Sequence, residues 1–535
     1  MKDWLYRTFL LNRLRKALSA AGAVALLLLG HLFVPDALDR FHRCADGVRE
    51  IDAECIGVNG SGYDFGTPGI GKVADAVAAE NRRIASVPHV TVAMMLPLQP
   101  ASRAGQDQLR SDLQGAYLGQ RRANQTGELP KLRLVLANPG SGYRHQEEVV
   151  DRLAEMARSP RHRLRAVTGF NLSLSETEAA IDRLTNDLGI PVLASRVSAD
   201  DLANDETGPR RFDGLARVIP TNGRQADALA AFHGDLPDRR TVLVTDTRPN
   251  DIYVASLADA FRRDEPGRPG PKDQEFESPS LDEAGSTGND FSLIGHNICQ
   301  SEAEVVYFAG RPVHLRLFAL KLAEVPCGDR HYTVVSGSGA ATLARYMDEG
   351  DWRTLRGDDA DEPLVTVRYA APGHPDAWDA ELRAWRAAQQ EGPSAEQPPA
   401  HLTQPQEELQ RLEELLAREE PRMGDGDLQD SRTMLVYDGV RTIARAVFLA
   451  HSGPGTDGPV PPAERVAAQW KRLESQHRVY GTSGWICLTN AGNPYNKPVA
   501  VVELAPGDQE LAFVGLAWPE SRPQPPECVV PSHTG

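Results

Sequence analysis

Lysine is scarce in this chain: eight among 58 basic residues, which face 74 acidic ones and leave a net charge of −16. That balance offers no basic footprint from which nucleic acid could displace counterions, so nucleic acid is excluded as a partner. Cysteine is also sparse. Six residues are present and none forms a C-x₂-C pair, so the spacing of a structural zinc site is missing. The 14 histidines include no H-E-x-x-H or comparable ligand spacing. Long uncharged apolar runs are limited to one, ALSAAGAVALLLLGHLFV at 17–34.

Two catalytic motifs are approached and missed. GTPGIGKV, at 66–73, has the spacing of a phosphate-cradling loop, but Val73 replaces the Ser or Thr that would hold Mg²⁺. VVSGSGAAT fails the nucleophile-elbow pattern, because Ser336 stands where Gly is required. No cofactor, metal site or enzymatic activity is expected.

The apolar run at 17–34 follows Lys2, Arg7, Arg13, Arg15 and Lys16. As a helix it spans roughly 27 Å, enough to cross a hydrocarbon core. Flanking cations stay cytoplasmic, which puts everything after Pro35 outside the cell membrane. A cleaved signal peptide is the alternative; it would show a shorter apolar region and an A-x-A site, whereas VPDALDRFHR follows. All six cysteines fall on the outer side, where an even number suits three disulfides. Pairing by neighbour joins Cys44 to Cys55, Cys299 to Cys327 and Cys487 to Cys528, one connectivity among the alternatives. Free buried thiols are the other use.

From Val90 onward, short apolar runs alternate with amphipathic helical segments: VTVAMMLPL, LRLVLANP, RAVTGF and IPVLAS, then RTVLVTD, AEVVYFAG and HYTVVSG. Strands separated by helices of this length predict α/β architecture with parallel sheets covered on both faces. Two such units follow in tandem. Ligands bind such sheets outside the carboxyl ends of the strands, at loops such as LPLQP, TGFNLSLSET, ASRVSADD and TDTRPND. Proline-rich polar stretches at 263–290, 391–407, 420–431 and 452–463 read as surface insertions or disordered segments.

The order of these pieces resembles the type I periplasmic substrate-binding proteins, in the leucine/isoleucine/valine-binding branch that serves ABC importers. The resemblance runs from about Val90 to Val502 and is carried by VTVAMMLPLQP with GAYLGQRRAN, IDRLTNDLGIPVLASRVSAD, ARVIPTNGRQADALAAF, VVYFAG, MLVYDGVRTIARAV and VYGTSGWICLTNAGNP. The front end looks like membrane-anchored actinobacterial members.

The resemblance implies two α/β lobes closing on a small-molecule ligand, joined by crossings near 217–222, 335–339 and 480–485. The chain then divides into a cytoplasmic tail (1–16), an anchor (17–34), a cysteine-bearing stalk (35–88), a first lobe (89–219 with 338–478) and a second (220–337 with 479–535). An ABC permease, or another membrane protein for a sensor or scaffold ectodomain, is the implied partner.

Ser175 sits three residues before Glu178, a capping-box spacing that opens a helix whose N-terminus suits a carboxylate. Family members grip the ligand carboxylate at this loop, which makes Ser173 and Ser175 candidates. Ser195 and Ser198 in ASRVS, Asp246 or Thr247 at a strand end, and Tyr253 as a covering aromatic complete the implied site. One departure stands out. Where amino-acid-binding members place a carboxylate for the ligand ammonium, this chain has Arg311-Pro312, and arginine favours carboxylate or phosphate. The expected ligand is therefore small and polar, amino-acid-like or anionic.

Overall fold

A computed structural model describes residues 43–531 except 234–239, 265–270, 329, 358–362, 391–396, 454–457 and 506–509. The tail and anchor expected at 1–16 and 17–34 lie outside the described residues. Among the described residues no helix is long and apolar enough to cross a membrane.

The first sheet contains β1 (Arg43–Ala45), β2 (Val48–Ile51), β3 (Glu54–Asn59), β4 (His89–Met95), β5 (Lys131–Asn138), β6 (Leu164–Thr168), β7 (Val192–Ala194) and β8 (Leu215–Arg217). Their order is β1-β2-β3-β5-β4-β6-β7-β8. Strands β5, β4, β6, β7 and β8 are parallel, while β1, β2 and β3 run antiparallel on one edge.

Within the stalk expected at 35–88, residues 35–42 lie outside the described ones, and from Arg43 onward that edge corrects the expectation. Val48, Ile56 and Val58 are buried in it, and Gly57, Val58 and Asn59 pair with β5. Helix α1 (Gly71–Arg83) then buries Val73 and Val77 in the same lobe. Each buried Val contributes about 1.5–3 kcal/mol, so the segment is held in the lobe and does not stand off it.

Helices α2 (Arg103–Gln125), α3 (Gln146–Arg158) and α4 (Ser175–Asp182) cover the faces of this sheet. The second lobe opens with α5 (Asn222–Phe232) and α6 (Ile252–Asp264), followed by α7 (Thr287–Ser301) and α8 (Pro312–Ala323). Its sheet holds β9 (Thr241–Asp246), β10 (Gln274–Phe276), β11 (Val305–Ala309), β12 (Tyr332–Ser336) and β13 (Val365–Ala371). These strands are parallel. Strand β10 lies inside the stretch at 263–290 expected as an insertion or disordered, with Phe276 buried against Phe291 and Phe308.

The placement of β13 moves the second crossing. Tyr332 through Ser336 pair in register with Val365 through Tyr369, and Val365, Val367 and Tyr369 are buried in the second core. The chain therefore stays in the second lobe to Ala371 and does not cross at 335–339. The expected lobe boundary at 338 moves with it.

After Ala371 come α9 (Ala377–Gln390), α10 (Ala400–Met423) and α11 (Arg432–Ser452), all on the first lobe. Helix α10 takes in residues 400–407 of the proline-rich stretch at 391–407 and 420–423 of that at 420–431. Leu402, Leu409, Leu412 and Leu415 recur at helical spacing and are buried, which outweighs the polar composition around them. Helices α2 and α11 approach closely where α2 has no side chain: a Cβ at Gly115 would fall 2.5 Å from the Thr433 carbonyl oxygen, and one at Gly119 2.8 Å from Val440 Cβ.

A short hairpin, β14 (Val479–Gly481) with β15 (Gly484–Ile486), occupies the third expected crossing. The chain still touches the first lobe after it, through the Arg217 amide donating to the Gly492 carbonyl. It rejoins the second sheet at β16 (Val499–Ala505), which pairs antiparallel with β13 and with β17 (Glu510–Ala517). The six cysteines pair as neighbours: Cys44–Cys55, Cys299–Cys327 and Cys487–Cys528.

Candidate functional site

Parallel strands deliver their carboxyl ends to one edge, and the loops there face each other across the lobes. From the first lobe come Ser173 after β6, Arg196 and Ser198 after β7, Gln108 on α2 and Arg432 at the start of α11. From the second come Tyr253 on α6, Asp282, Arg311 before α8, Ser338 and Gly339 after β12, and Tyr346. Together they line a cavity of about 80 Å³.

Tyr253 is fixed at both ends. Its backbone amide donates to the Ser173 carbonyl across the cleft at 3.2 Å, and its hydroxyl accepts from the Gly339 amide at 2.9 Å. Gly339 must lack a side chain here, because a Cβ would lie 2.7 Å from that hydroxyl oxygen. Burial pushes the Tyr253 phenol up to about 12, against the opposing pull of the Gly339 amide and Arg311.

The loop bearing Arg196 and Ser198 owes its shape to a residue the sequence reading passed over. Arg217, wholly buried at the end of β8, donates to the carbonyls of Val197 at 2.6 Å and Ala199 at 3.2 Å. The Asn222 amide bonds the Ser198 carbonyl at 2.7 Å, and its side chain reaches the Tyr253 carbonyl at 3.1 Å. The first crossing thus positions one site loop from each lobe.

Of the residues singled out in the sequence, Ser173, Ser198, Tyr253 and Arg311 meet in the cavity. Ser195 and Ser175 do not line it. Ser195 points the other way, buried against Gly439 of α11, because alternate residues leaving a strand face opposite sides. Ser175 is the first residue of α4, not its cap; its hydroxyl bonds the Glu176 carboxylate at 3.0 Å, so the capping box is not formed.

Asp246 accepts from the amides of Arg248 and Ser278, both at 3.0 Å, and Thr247 donates to the Phe276 carbonyl. Both residues secure a loop beside β10 and are not among the cavity's lining residues. The LPLQP turn stays outside too, its Leu98 bonded to Asn138 and Thr67.

The electrostatics of the cleft come chiefly from three arginines. Arg311 is clamped by Asp251 through bonds of 2.8 and 2.7 Å. Burial opposes its charge, but Asp251 outweighs that and holds its pKa above the ordinary arginine value. Arg432 donates to Asp112 and to Gln108, both at 2.7 Å. Asp112 is itself buried, which raises its carboxyl despite Arg432 and Arg196. Among the described residues the Arg196 Nε has no hydrogen-bond partner, and burial together with repulsion from Arg432 draws the Arg196 pKa down to about 10.

Sequence reasoning missed Arg196, although it sits between two serines that were singled out. A charge at the end of the apolar run IPVLAS was the available signal. Arg432 and Asp112 carried none, since their partnership spans 320 positions.

No protein-family model and no curated protein matches the chain. Solved structures do. A leucine binding protein from Thermotoga maritima is 17% identical, with a TM-score of 0.55 over 81% of this chain and 100% of that one. A branched-chain amino acid transporter substrate binding protein from Streptococcus pneumoniae, in complex with isoleucine, is 14% identical, with a TM-score of 0.52 over 80% and 99%. An ABC transporter solute binding protein from R. palustris, in complex with benzoate, is 14% identical, with a TM-score of 0.51 over 80% and 96%. The two mixed sheets, their crossings and the cleft between them are the fold of the type I periplasmic binding proteins.

Proposed function

We propose that this chain is an extracytoplasmic solute-binding protein, tethered to the cell membrane by residues 17–34, that closes two lobes on a small polar ligand for an ABC importer. The observation carrying this reading is the cavity lined from both lobes, with Ser173, Arg196 and Ser198 on one side and Tyr253 and Arg311 on the other. A ligand touching both sides binds the closed form better than the open one, and that difference drives closure.

A second reading is a sensor or scaffold ectodomain with the same fold. It is favoured by ties that hold the lobes together through protein groups alone. Arg345 of the second lobe donates to Asp427 and Asp430 of the first, both at 2.7 Å.

Thermal unfolding of the full-length chain against amino acids, short and aromatic carboxylates, and inorganic oxyanions separates the two. A ligand at 100 times its Kd adds about 2.7 kcal/mol of stability. A shift abolished by Tyr253→Ala supports solute binding. A folded protein that no compound stabilises supports the sensor or scaffold.

A further inference from the structure

Given solute binding in this cleft, the geometry points to a short-chain monocarboxylate without an ammonium group as the ligand, held by Arg196. Three observations lead there.

The first is which charges are already occupied. Asp251 is committed to Arg311 and Asp112 to Arg432. Asp430, the remaining buried carboxylate nearby, is bound by Arg345. Asp282 stands at the rim as the sole acidic residue among those lining the cavity. Among the described residues no carboxylate is hydrogen-bonded to Arg196, and its Nε is unpaired. The Nε of Arg432, a residue only 8% exposed, is unpaired as well. A guanidinium that lines the cavity without a carboxylate of its own calls for an anionic oxygen acceptor, and guanidinium and carboxylate match as planar, two-pronged partners.

The second is what an amino acid would lack. Its ammonium needs a free carboxylate, and the one lining the cavity, Asp282 of the second lobe, already lies in the field of the Arg311 guanidinium. An ammonium placed there would meet a cation instead.

The third is room and surface. About 80 Å³ is small beside the roughly 300–1,000 Å³ of ordinary ligand pockets, so the ligand is a small one. The walls include Leu172, Ile219, Leu281 and Pro312, which suit a short carbon tail better than a fully hydrated sulfate or phosphate.

The test is calorimetric titration of the full-length chain with propionate, alanine, sulfate, leucine and benzoate, repeated on Arg196→Gln and Arg196→Lys. Propionate should bind at least about tenfold more tightly than alanine. Arg196→Gln should lose about tenfold or more in propionate affinity, the worth of a charge-assisted hydrogen bond. Arg196→Lys, which keeps the charge, should lose less. The unliganded melting temperature of both variants should stay near that of the parent chain, which a purely structural arginine would not allow.

Tighter binding of alanine, leucine or benzoate overturns this ligand assignment while leaving solute binding intact. Binding of sulfate alone does the same. Heat from none of the five, with a cooperatively folded chain, overturns the solute-binding reading along with it.

Discussion

The guanidinium of Arg311 lies over the ring of Tyr253, 4.9 Å from its centroid, while both its Nε and Nη2 are held by Asp251. Cation and ring are thereby presented to the cleft as one rigid unit. Asp251 also accepts from the Val254 amide at the start of α6, so one carboxylate fixes the helix and the arginine.

Removing that carboxylate should be expensive. Asp251→Ala leaves Arg311 buried without its counter-charge, a change that costs about 3–5 kcal/mol. Urea unfolding of parent and variant measures it. A loss below about 1 kcal/mol would show that the pair is exposed in solution and that Tyr253 is not anchored through it.

Arg345 bridges the lobes directly, donating to Asp427 and Asp430. Burial works against its charge, but Asp430 and Asp427 outweigh that and raise its pKa. Arg345→Ala should shift the unliganded chain toward an open form, read as a larger radius of gyration by X-ray scattering. Ligand affinity should fall in proportion to the lost closed population. Unchanged scattering would assign closure to other contacts.

Lys497 gives a pH dependence whose sign follows from burial. It is 1% exposed and donates to the Ser483 hydroxyl at 2.7 Å, which in turn bonds Asp438. Burial draws its ammonium from 10.5 down to about 8, against the pull of Asp438. Between those two values the unfolded chain binds more protons than the folded one, so stability rises with pH across that window and is flat below it. Lys497→Met should remove this rise. Denaturant unfolding at pH about 7.5 and about 9.5 checks it; equal slopes in parent and variant would refute the assignment.

The Cys487–Cys528 bond closes a separation of 41 residues and ties the C-terminal segment to the hinge hairpin. Breaking it with Cys487→Ala and Cys528→Ala together should cost about 2–4 kcal/mol. The thermal midpoint of the double variant, compared with the parent under oxidising conditions, reports the loss.

Periodicity and local chemistry made much of the fold legible in the sequence. Alternating apolar runs and amphipathic helices marked the parallel sheets, because residue spacing alone decides which face of an element is apolar. Cysteines 11, 28 and 41 positions apart pair as neighbours, consistent with loop closure that favours short separations. The loops bearing Ser173 and Ser198 could be placed because strand ends must gather at one edge, and Tyr253 followed from the resemblance. Arg311 was visible as a departure from a pattern.

Tertiary structure decided the rest, since it depended on partners distant in the chain. The run VTVRYAA could have joined either sheet, and only its register with Tyr332 through Ser336 assigns it to the second. Helix α10 forms within a polar composition because its leucines find the first-lobe core. Arg311 read as a free cation in the sequence, yet Asp251, 60 positions earlier, takes its charge. Arg432 likewise meets Asp112 across 320 positions. Which arginine stays unpaired is set by these long-range pairings, because a charge is neutralised by whatever folds against it and not by its neighbours in sequence.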